Sequence, residues 1–358
     1  MVSDLTDVEV YRQTMSFRRP GRVLFAADFT PDLYQRLVAH TGAKDLLGHY
    51  GMWKRAWIGP RRPAELPPID YTVYFKDDAL PPGTTIDGAG VAHIPGSMFH
   101  FTKMLSPLRN ATSIQQIHEY PLENPTVWDW SRVKADVDKA HAEGTVTAAF
   151  VGHMYETAWQ IRGYEEFLMD MLTQPEWAHA MLGRVIEHKT EHARRLAEAG
   201  VDVIMCGDDV ANQRALMFEP SMWREFMLSR WRNVWATIHQ TNPDARIWYH
   251  SDGNITAIIG ELVEAGVNIL NPLQPECLDV DAVYAEFGGR VALDGVMGTQ
   301  STMPWGTPSD VKVRVKEVIE KYGRRGGLFV TPTHVLEPEV PLANIDAFAE
   351  ACREYGAS

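Results

Sequence analysis

The sequence has little cysteine and no long hydrophobic run. Its 358 residues include 3 cysteines. These are Cys206, Cys277 and Cys352, which form neither a CxxC pair nor a disulfide framework, as is typical of a reducing compartment. No apolar run approaches the ~18 residues that a membrane span needs, and the acidic N-terminus lacks a signal-peptide core. These absences predict a soluble cytoplasmic protein.

The chain also lacks an excess of positive charge. Its formal net charge is −13 and its pI is about 5.5, so it repels phosphate backbones and anionic lipid. We therefore expect neither nucleic acid nor a membrane as a partner. The hydrophobic fraction of 45% and charged fraction of 23% are those of a globular protein and exclude disorder. A small-molecule substrate fits this composition, which leaves the oligomeric state open.

No GxGxxG motif follows the first predicted strand, which disfavours a dinucleotide-binding sheet. Instead, residues 141–358 alternate short apolar runs with long amphipathic stretches. The predicted strands are 145–151, 201–207, 246–250, 269–273, 291–294 and 327–331. The predicted helices are 164–198, 220–240, 255–264, 279–287, 308–322 and 341–355. Apolar strands that alternate with helices indicate a parallel sheet covered by helices, and their number favours a (β/α)8 barrel.

The first 140 residues are less regular. They predict a first strand at 22–27 and a helix at 31–47, followed by turn-rich segments. No low-complexity linker or internal repeat divides the chain. We therefore expect one (β/α)8 TIM-barrel domain over residues 1–358, with an irregular N-terminal part over residues 1–140.

Polar residues follow most of the predicted strands, at the end of a barrel where chemistry is found. Those singled out are His153, Asp208, Asp209, Gln213, His250, Asp252, Gln274, Asp294, Gln300 and His334. Their convergence from several strands predicts an active site. In this interpretation Asp208 and His250 are catalytic. The substrate is bound by His153, Asp209, Gln213, Gln274 and Gln300.

A metal site is predicted at His250, Asp252 and His334. His250 and Asp252 are two residues apart at a strand end and point to the same side, and His334 follows the last strand. Two imidazoles and a carboxylate suit a divalent metal with open positions. An alternative stays open, in which His250 donates to a backbone carbonyl and Asp252 caps the next helix.

The neighbouring carboxylates and the first histidine also allow two interpretations. Asp208 and Asp209 are consecutive, so in a strand they point in opposite directions. One of them then faces the barrel mouth while the other caps a helix or pairs with an arginine; both can also be caps. His153 either contacts substrate or is a neutral, hydrogen-bonded histidine at a strand end.

Several motifs occur in an order that resembles the uroporphyrinogen decarboxylase superfamily. The first is Gly207-Asp208-Asp209-x-x-x-Gln213, followed by Pro220-x-x-Trp223-Arg224-Glu225-Phe226. Further matches are His250-Ser251-Asp252-Gly253-Asn254, Gln274-Pro275, Gly298-Thr299-Gln300, Thr331-Pro332-Thr333-His334 and Pro341-x-x-Asn344-Ile345. The resemblance runs from about residue 150 to the C-terminus and independently implies a (β/α)8 barrel.

The superfamily contains decarboxylases and methyltransferases that work with corrinoid proteins. True uroporphyrinogen decarboxylases carry an arginine-rich segment that holds substrate carboxylates, and residues 21–29 lack it. The resemblance therefore implies the methyltransferase branch. In its thiol-methylating members, zinc is held by His-x-Cys and a later Cys. His250 matches the histidine, whereas Asp252 and His334 stand at or near the cysteine positions, so zinc, manganese and iron(II) all fit.

The resulting hypothesis is a metal-dependent methyltransferase that demethylates a small methoxylated or N-methylated substrate and passes the methyl group to a corrinoid partner. Because the ligands are hard, an oxygen leaving group suits the site better than a thiolate does. Two alternatives stay open. One is a decarboxylase or lyase that uses His250 with Asp208 or Asp209 as acid and base. The other is a non-catalytic or corrinoid-docking protein.

Overall fold

Eight parallel strands form the centre of the structure, a computed structural model that describes residues 5–96 and 103–357. Their order is β1-β11-β10-β9-β8-β7-β6-β2, and β3, β4 and β5 form a separate antiparallel sheet. The strands are β1 (Leu24–Phe25), β2 (Arg55–Trp57), β3 (Thr85–Ile86), β4 (Ala92–Ile94), β5 (Lys103–Leu105), β6 (Val146–His153), β7 (Val203–Gly207), β8 (Arg246–His250), β9 (Ile269–Asn271), β10 (Ala292–Asp294) and β11 (Leu328–Val330).

In the part of the chain that the structure describes, one backbone hydrogen bond closes the curled sheet into a barrel. The N–H of Trp53, two residues before β2, donates to the carbonyl oxygen of Phe25 in β1 at 3.1 Å. Every other pair of neighbours in the sheet is joined by a register of at least two residue pairs. The predicted (β/α)8 fold is confirmed.

Helices cover the outside of the sheet, and one helix, α1, comes before the first strand in the chain. They are α1 (Asp7–Met15), α2 (Pro31–Thr41), α3 (Leu46–Tyr50), α4 (Ile114–His118), α5 (Val133–Ala142), α6 (Tyr155–Arg162), α7 (Tyr164–Thr173), α8 (Pro175–Ile186), α9 (Lys189–Ala199), α10 (Pro220–Trp223), α11 (Ser229–Thr241), α12 (Ile259–Ala265), α13 (Val280–Phe287), α14 (Thr302–Trp305), α15 (Pro308–Val318) and α16 (Leu342–Gly356). Short 3₁₀ turns lie at Tyr71–Phe75, Pro125–Val127 and Thr256–Ile258, and π-helical turns at Arg224–Leu228 and Ile319–Gly323. None of the helices in the described residues is both long and apolar enough to cross a membrane.

Several predicted boundaries were wrong for local reasons. The helix predicted over 164–198 is three helices, because Pro175 has no N–H and begins a new helix at its first position. The helix predicted over 31–47 ends where Gly42 adopts the left-handed conformation. Helix α6 was not predicted, nor was β2, which has three residues.

The lower part of the barrel is packed, and helix α1 closes its N-terminal end. Inward-facing strand residues form one buried cluster with α1, which includes Leu24, Val146, Ala148, Val203, Met205, Ile269, Ala292 and Phe329. Tyr11 of α1 contacts the rings of Trp53 and Phe329 from below. Open space for a ligand is therefore found at the opposite, C-terminal end, where parallel-barrel sites lie.

Candidate active site

The C-terminal mouth of the barrel contains two neighbouring cavities. The first, of about 270 Å³, reaches down to Met205 and Trp248 and is lined by His250, Asn271 and Asp294. The second, of about 210 Å³, is lined by Asp252, Gln274 and Gln300. His334 and Val335 line both cavities. Predicted site residues from several strands are thus brought together.

A chain of hydrogen bonds fixes the orientation of His250. The register of β8 and β9 sets His250 beside Asn271, and Nδ1 of His250 lies 2.7 Å from Oδ1 of Asn271. The amide nitrogen of Asn271 donates to Asp294 at 3.1 Å, so the Asn271 oxygen is the acceptor for His250. Nδ1 therefore carries a hydrogen, so Nε2 is the nitrogen through which the neutral ring can ligate a metal.

Nε2 of His250 faces two carboxylates. It lies 3.6 Å from Oδ1 of Asp209, and that same oxygen accepts the backbone N–H of Asp252 at 2.8 Å. Oδ1 of Asp252 is buried and has no hydrogen-bond partner among the described residues. Burial raises the pKa of Asp252, and Asp209 adds to the rise while His250 and His334 oppose it. A buried carboxylate oxygen without a hydrogen-bond partner is costly.

Asp209, His250 and Asp252 form a candidate metal group. One ligand atom from each lies within 4.8 Å of the others, and one nitrogen with two carboxylate oxygens suits zinc, manganese or iron(II). A bound cation would be a partner for Oδ1 of Asp252. The three residues therefore fit a divalent metal ion. Asp209, predicted to bind substrate, thus joins two of the three predicted ligands, His250 and Asp252. His334 lies on the shared cavity wall, with its side chain exposed.

Asp208, which was predicted to be a catalytic residue, lies buried beneath the mouth. Strand β7 points Val203 and Met205 inward, so Asp208 falls in the opposite, helix-facing row. The residue is fully buried at 0% exposure. One oxygen accepts from the backbone of Met154 at 2.7 Å and the other from Nε1 of Trp231 at 2.7 Å. Burial raises the pKa of Asp208 to about 7.

His153, Glu156 and Asp208 form a second cluster of potential ligands, but its members already satisfy one another. Nδ1 of His153 lies 2.8 Å from both the Gly207 carbonyl and Oε2 of Glu156. Burial lowers the pKa of His153, but the hydrogen bond and charge of Glu156 outweigh it and raise the value to about 9. Glu156 also accepts the backbone N–H of Asp209 at 3.1 Å. His153 is therefore protonated at neutral pH. The centre of its ring lies 6.4 Å from the centre of the His250 ring.

The three predicted glutamines have structural partners at the mouth. Gln274 is buried, and its oxygen accepts the backbone N–H of Gly253 at 2.6 Å, which fixes the loop that carries Asp252. Gln213 donates to Gln300 at 2.9 Å. This side-chain bridge joins the loops that follow β7 and β10 across the rim.

Sequence reasoning missed several residues at the site. Arg55 and Trp57 line the first cavity from β2, and the alternation Trp53-x-Arg55-x-Trp57 was a period-2 signal for a shared face. Asn271 ends an apolar strand with a polar residue, the same signal that identified His250. Glu156 lies in the first turn of α6, where an acidic residue is ordinary, so no sequence pattern indicated its role.

Comparisons with known proteins agree on one family. The protein-family model described as "Uroporphyrinogen decarboxylase (URO-D)" matches residues 100–355 of this chain. Uroporphyrinogen decarboxylase from Chloroflexus aggregans is 22% identical over 300 residues, 80% of this chain and 78% of that protein. The same enzyme from Pelodictyon phaeoclathratiforme is 24% identical over 190 residues, 52% of either chain. This chain thus spans about half the length of some of the curated relatives it matches.

Methyltransferases also occur among the similar proteins. The methylcobamide:CoM methyltransferase MtaA of Methanosarcina barkeri is 28% identical over 165 residues, 46% of this chain and 45% of that protein. A solved methyltransferase from Methanosarcina mazei superposes with a TM-score of 0.66 and covers 98% of this chain and 99% of its own. At 16% identity, that likeness establishes a shared fold.

Proposed function

We propose that this chain, which belongs to the uroporphyrinogen decarboxylase family, is a methyltransferase that demethylates a small substrate and passes the methyl group to a corrinoid on a partner protein. Its relatives are named as decarboxylases and as a methyltransferase, so an enzyme is what they share. The substrate in this proposal carries its methyl group on oxygen or nitrogen.

One observation carries the proposal: Oδ1 of Asp252 is buried without a hydrogen-bond partner among the described residues, in the same group as His250, whose Nδ1 bonds Asn271. Together with Asp209, Asp252 and His250 would hold a divalent metal, with zinc as the first candidate and manganese or iron(II) as alternatives. A bound metal supplies a Lewis acid that stabilises negative charge on a leaving oxygen. Hard donors around it favour an oxygen leaving group over a sulfur one.

The methyl transfer has a simple balance. The methyl carbon loses its bond to oxygen and gains a bond to the cobalt(I) of the corrinoid, whose electron pair forms the new bond. The electron pair of the broken bond stays on the substrate oxygen, which takes up one proton. Because an alkoxide or phenoxide is a poor leaving group, its charge must be neutralised as it develops.

Each residue at the mouth has a separate role in the proposed reaction. His153 is a cation at neutral pH, since its pKa is raised to about 9, and it is suited to donate a hydrogen bond or a proton at the mouth. Asn271 holds the neutral His250 ring in the tautomer whose Nε2 can ligate a metal. The rim pair Gln213 and Gln300 orients substrate, and Gln274 positions the Asp252 loop. Asp208 is a positioning residue that anchors the start of α6.

The metal is tested by elemental analysis and by metal titration of chelator-treated protein. We expect about one metal per chain, with binding lost in His250→Ala and retained in His239→Ala. His239 is a matched control, because its ring bonds the carbonyl of Gly266 on the outer helical layer. Equal metal binding by the two variants would contradict the assignment.

The reaction is tested by methyl transfer to cob(I)alamin from a panel of methoxylated and N-methylated compounds, followed by the cobalamin absorbance. We expect transfer from at least one compound and none with His250→Ala. Carbon dioxide release without cobalamin would instead establish the decarboxylase alternative. Activity in neither assay would favour a binding protein.

A further inference from the structure

Strand β2 directs an arginine into the mouth between two tryptophans. Trp53, Arg55 and Trp57 are spaced by two residues and share the face that points into the barrel. The guanidinium carbon of Arg55 lies 5.3 Å from the centre of the Trp53 ring and 5.7 Å from that of Trp57. Trp53 is packed against the barrel core below, whereas Trp57 is 64% exposed. The arginine is thus held at a fixed height in the mouth.

The guanidinium of Arg55 lacks an anionic partner. Of its five N–H donors, one reaches the sulfur of Met205 at 4.0 Å, and no carboxylate of the described residues forms an ion pair with it. Arg62 and Arg109, which are partly buried like Arg55, pair with Glu123 and Asp78. Arg230 and Arg246 are partly buried and form no ion pair among the described residues, but each donates to backbone carbonyls. Arg55 has neither a carboxylate nor a carbonyl acceptor among the described residues. A half-buried cation left in that state is costly, and an anionic ligand would supply the missing partner.

The donors of Arg55 share a cavity with the candidate metal ligand His250. The 270 Å³ space is lined by both residues and by the indoles of Trp57 and Trp248. Its fixed anion, Asp294, already accepts from Trp248, Asn271 and Thr331. Asp28 also lines the cavity and makes no ion pair with Arg55. The cavity therefore combines one available cation with flat aromatic walls.

We propose that the substrate is an aromatic carboxylate that bears the methyl ether, with Arg55 as its carboxylate-binding residue. This rests on the proposed methyl transfer. A guanidinium binds a carboxylate through two parallel hydrogen bonds, a geometry that lysine does not reproduce. The ring of the substrate packs against the indoles of Trp57 and Trp248. The carboxylate end is held at β2, which leaves the ether end free to face His250 from across the mouth.

The test is direct binding, measured by calorimetry and by quenching of tryptophan fluorescence, without corrinoid. The probes are 4-methoxybenzoate, its neutral counterpart 4-methoxybenzamide, and methoxyacetate, which keeps the carboxylate but lacks the ring. We expect the benzoate to bind at least tenfold more tightly than either analogue. Arg55→Gln should weaken benzoate binding about ten- to a hundredfold and remove the preference over the amide.

The control is Arg224→Gln, which removes the same charge from an arginine paired with Glu261 on the outer surface and should leave binding unchanged. Arg55→Lys serves if the glutamine variant does not fold; we expect it to weaken benzoate binding because the paired hydrogen bonds are lost. Equal binding of benzoate and amide by the wild type overturns the proposal, as does no binding of any carboxylate or an unchanged preference in the Arg55 variants. Equally tight binding of methoxyacetate overturns the aromatic part. Selective benzoate binding without methyl transfer to cobalamin would refute the proposed reaction and leave the carboxylate site standing.

Discussion

Asn271→Leu should lower metal affinity without removing any metal-ligating atom. The substitution takes away the oxygen that accepts Nδ1–H of His250, so the ring is free to turn and to exchange tautomers. Loss of such an orienting partner costs about ten- to a hundredfold in metal affinity, which is about 1.4–2.7 kcal/mol at 1.36 kcal/mol per tenfold. Asp294 also loses one donor but keeps Trp248 and Thr331. We therefore expect a loss of folding stability of about 1–2 kcal/mol.

The assay is a zinc titration of chelator-treated protein against a chromophoric competitor, with thermal unfolding of each sample in parallel. Asn268→Leu is the matched control. Asn268 precedes β9 at the opposite end of the barrel, where its side-chain oxygen accepts the N–H of Ile247 at 2.8 Å. It should lose comparable stability and bind zinc like the wild type. Equal zinc affinities for the two leucine variants would refute the argument that Asn271 orients His250.

Three further predictions concern the same mouth. The wild type should gain about 2.7 kcal/mol of stability at free zinc of about 100 times Kd, and Asp252→Asn should lose most of that gain; an undiminished gain in the variant would exclude Asp252 as a ligand. Because the folded-state pKa of His153 is about 9 against 6.5 ordinarily, the unfolding free energy measured in urea should fall as pH rises from 6.5 to 8, and His153→Gln should flatten that fall; parallel profiles would contradict the ion pair with Glu156. Gln213→Ala and Gln300→Ala should each raise KM, and the double variant should add little, with a coupling of about 0.5–1.5 kcal/mol; strictly additive effects would show that the bridge does not act as a unit.

The barrel was predictable because its central strands are continuous apolar runs, each ending in a polar residue. Strand β8 was predicted with its observed bounds, and His250 was correctly placed at the mouth. Strand β2 was not predictable in the same way, because its three residues include a charged one. The arginine that makes β2 atypical in sequence is held there by indoles above and below it, a tertiary contact that no local pattern reveals.

The sequence predicts where the site lies in the barrel, but it does not predict which of the site residues contact one another. Strand alternation assigns Asp208 to the helix-facing row once Val203 and Met205 are known to point inward, but the sequence alone leaves the phase of the strand open. The grouping of Asp209 with His250 and Asp252 has another origin. It depends on where two loops carry their side chains, and loop geometry has no periodicity from which to derive it.

Among the described residues, the strands β1 and β2 are joined by the one backbone hydrogen bond between Trp53 and Phe25, and this affects local opening of the barrel. Local opening along that edge breaks one backbone bond, whereas separation of any other neighbouring strands breaks a ladder, so opening there has the lowest free energy around the barrel. Amide protons at the facing edges of β1 and β2 should therefore exchange with deuterium ahead of those in β7 and β8. Strand β2 stays attached to β6 through the register from Arg55 to Trp57. The arginine in the mouth thus belongs to the movable side of the wall, and an anion bound to it would slow exchange along this edge.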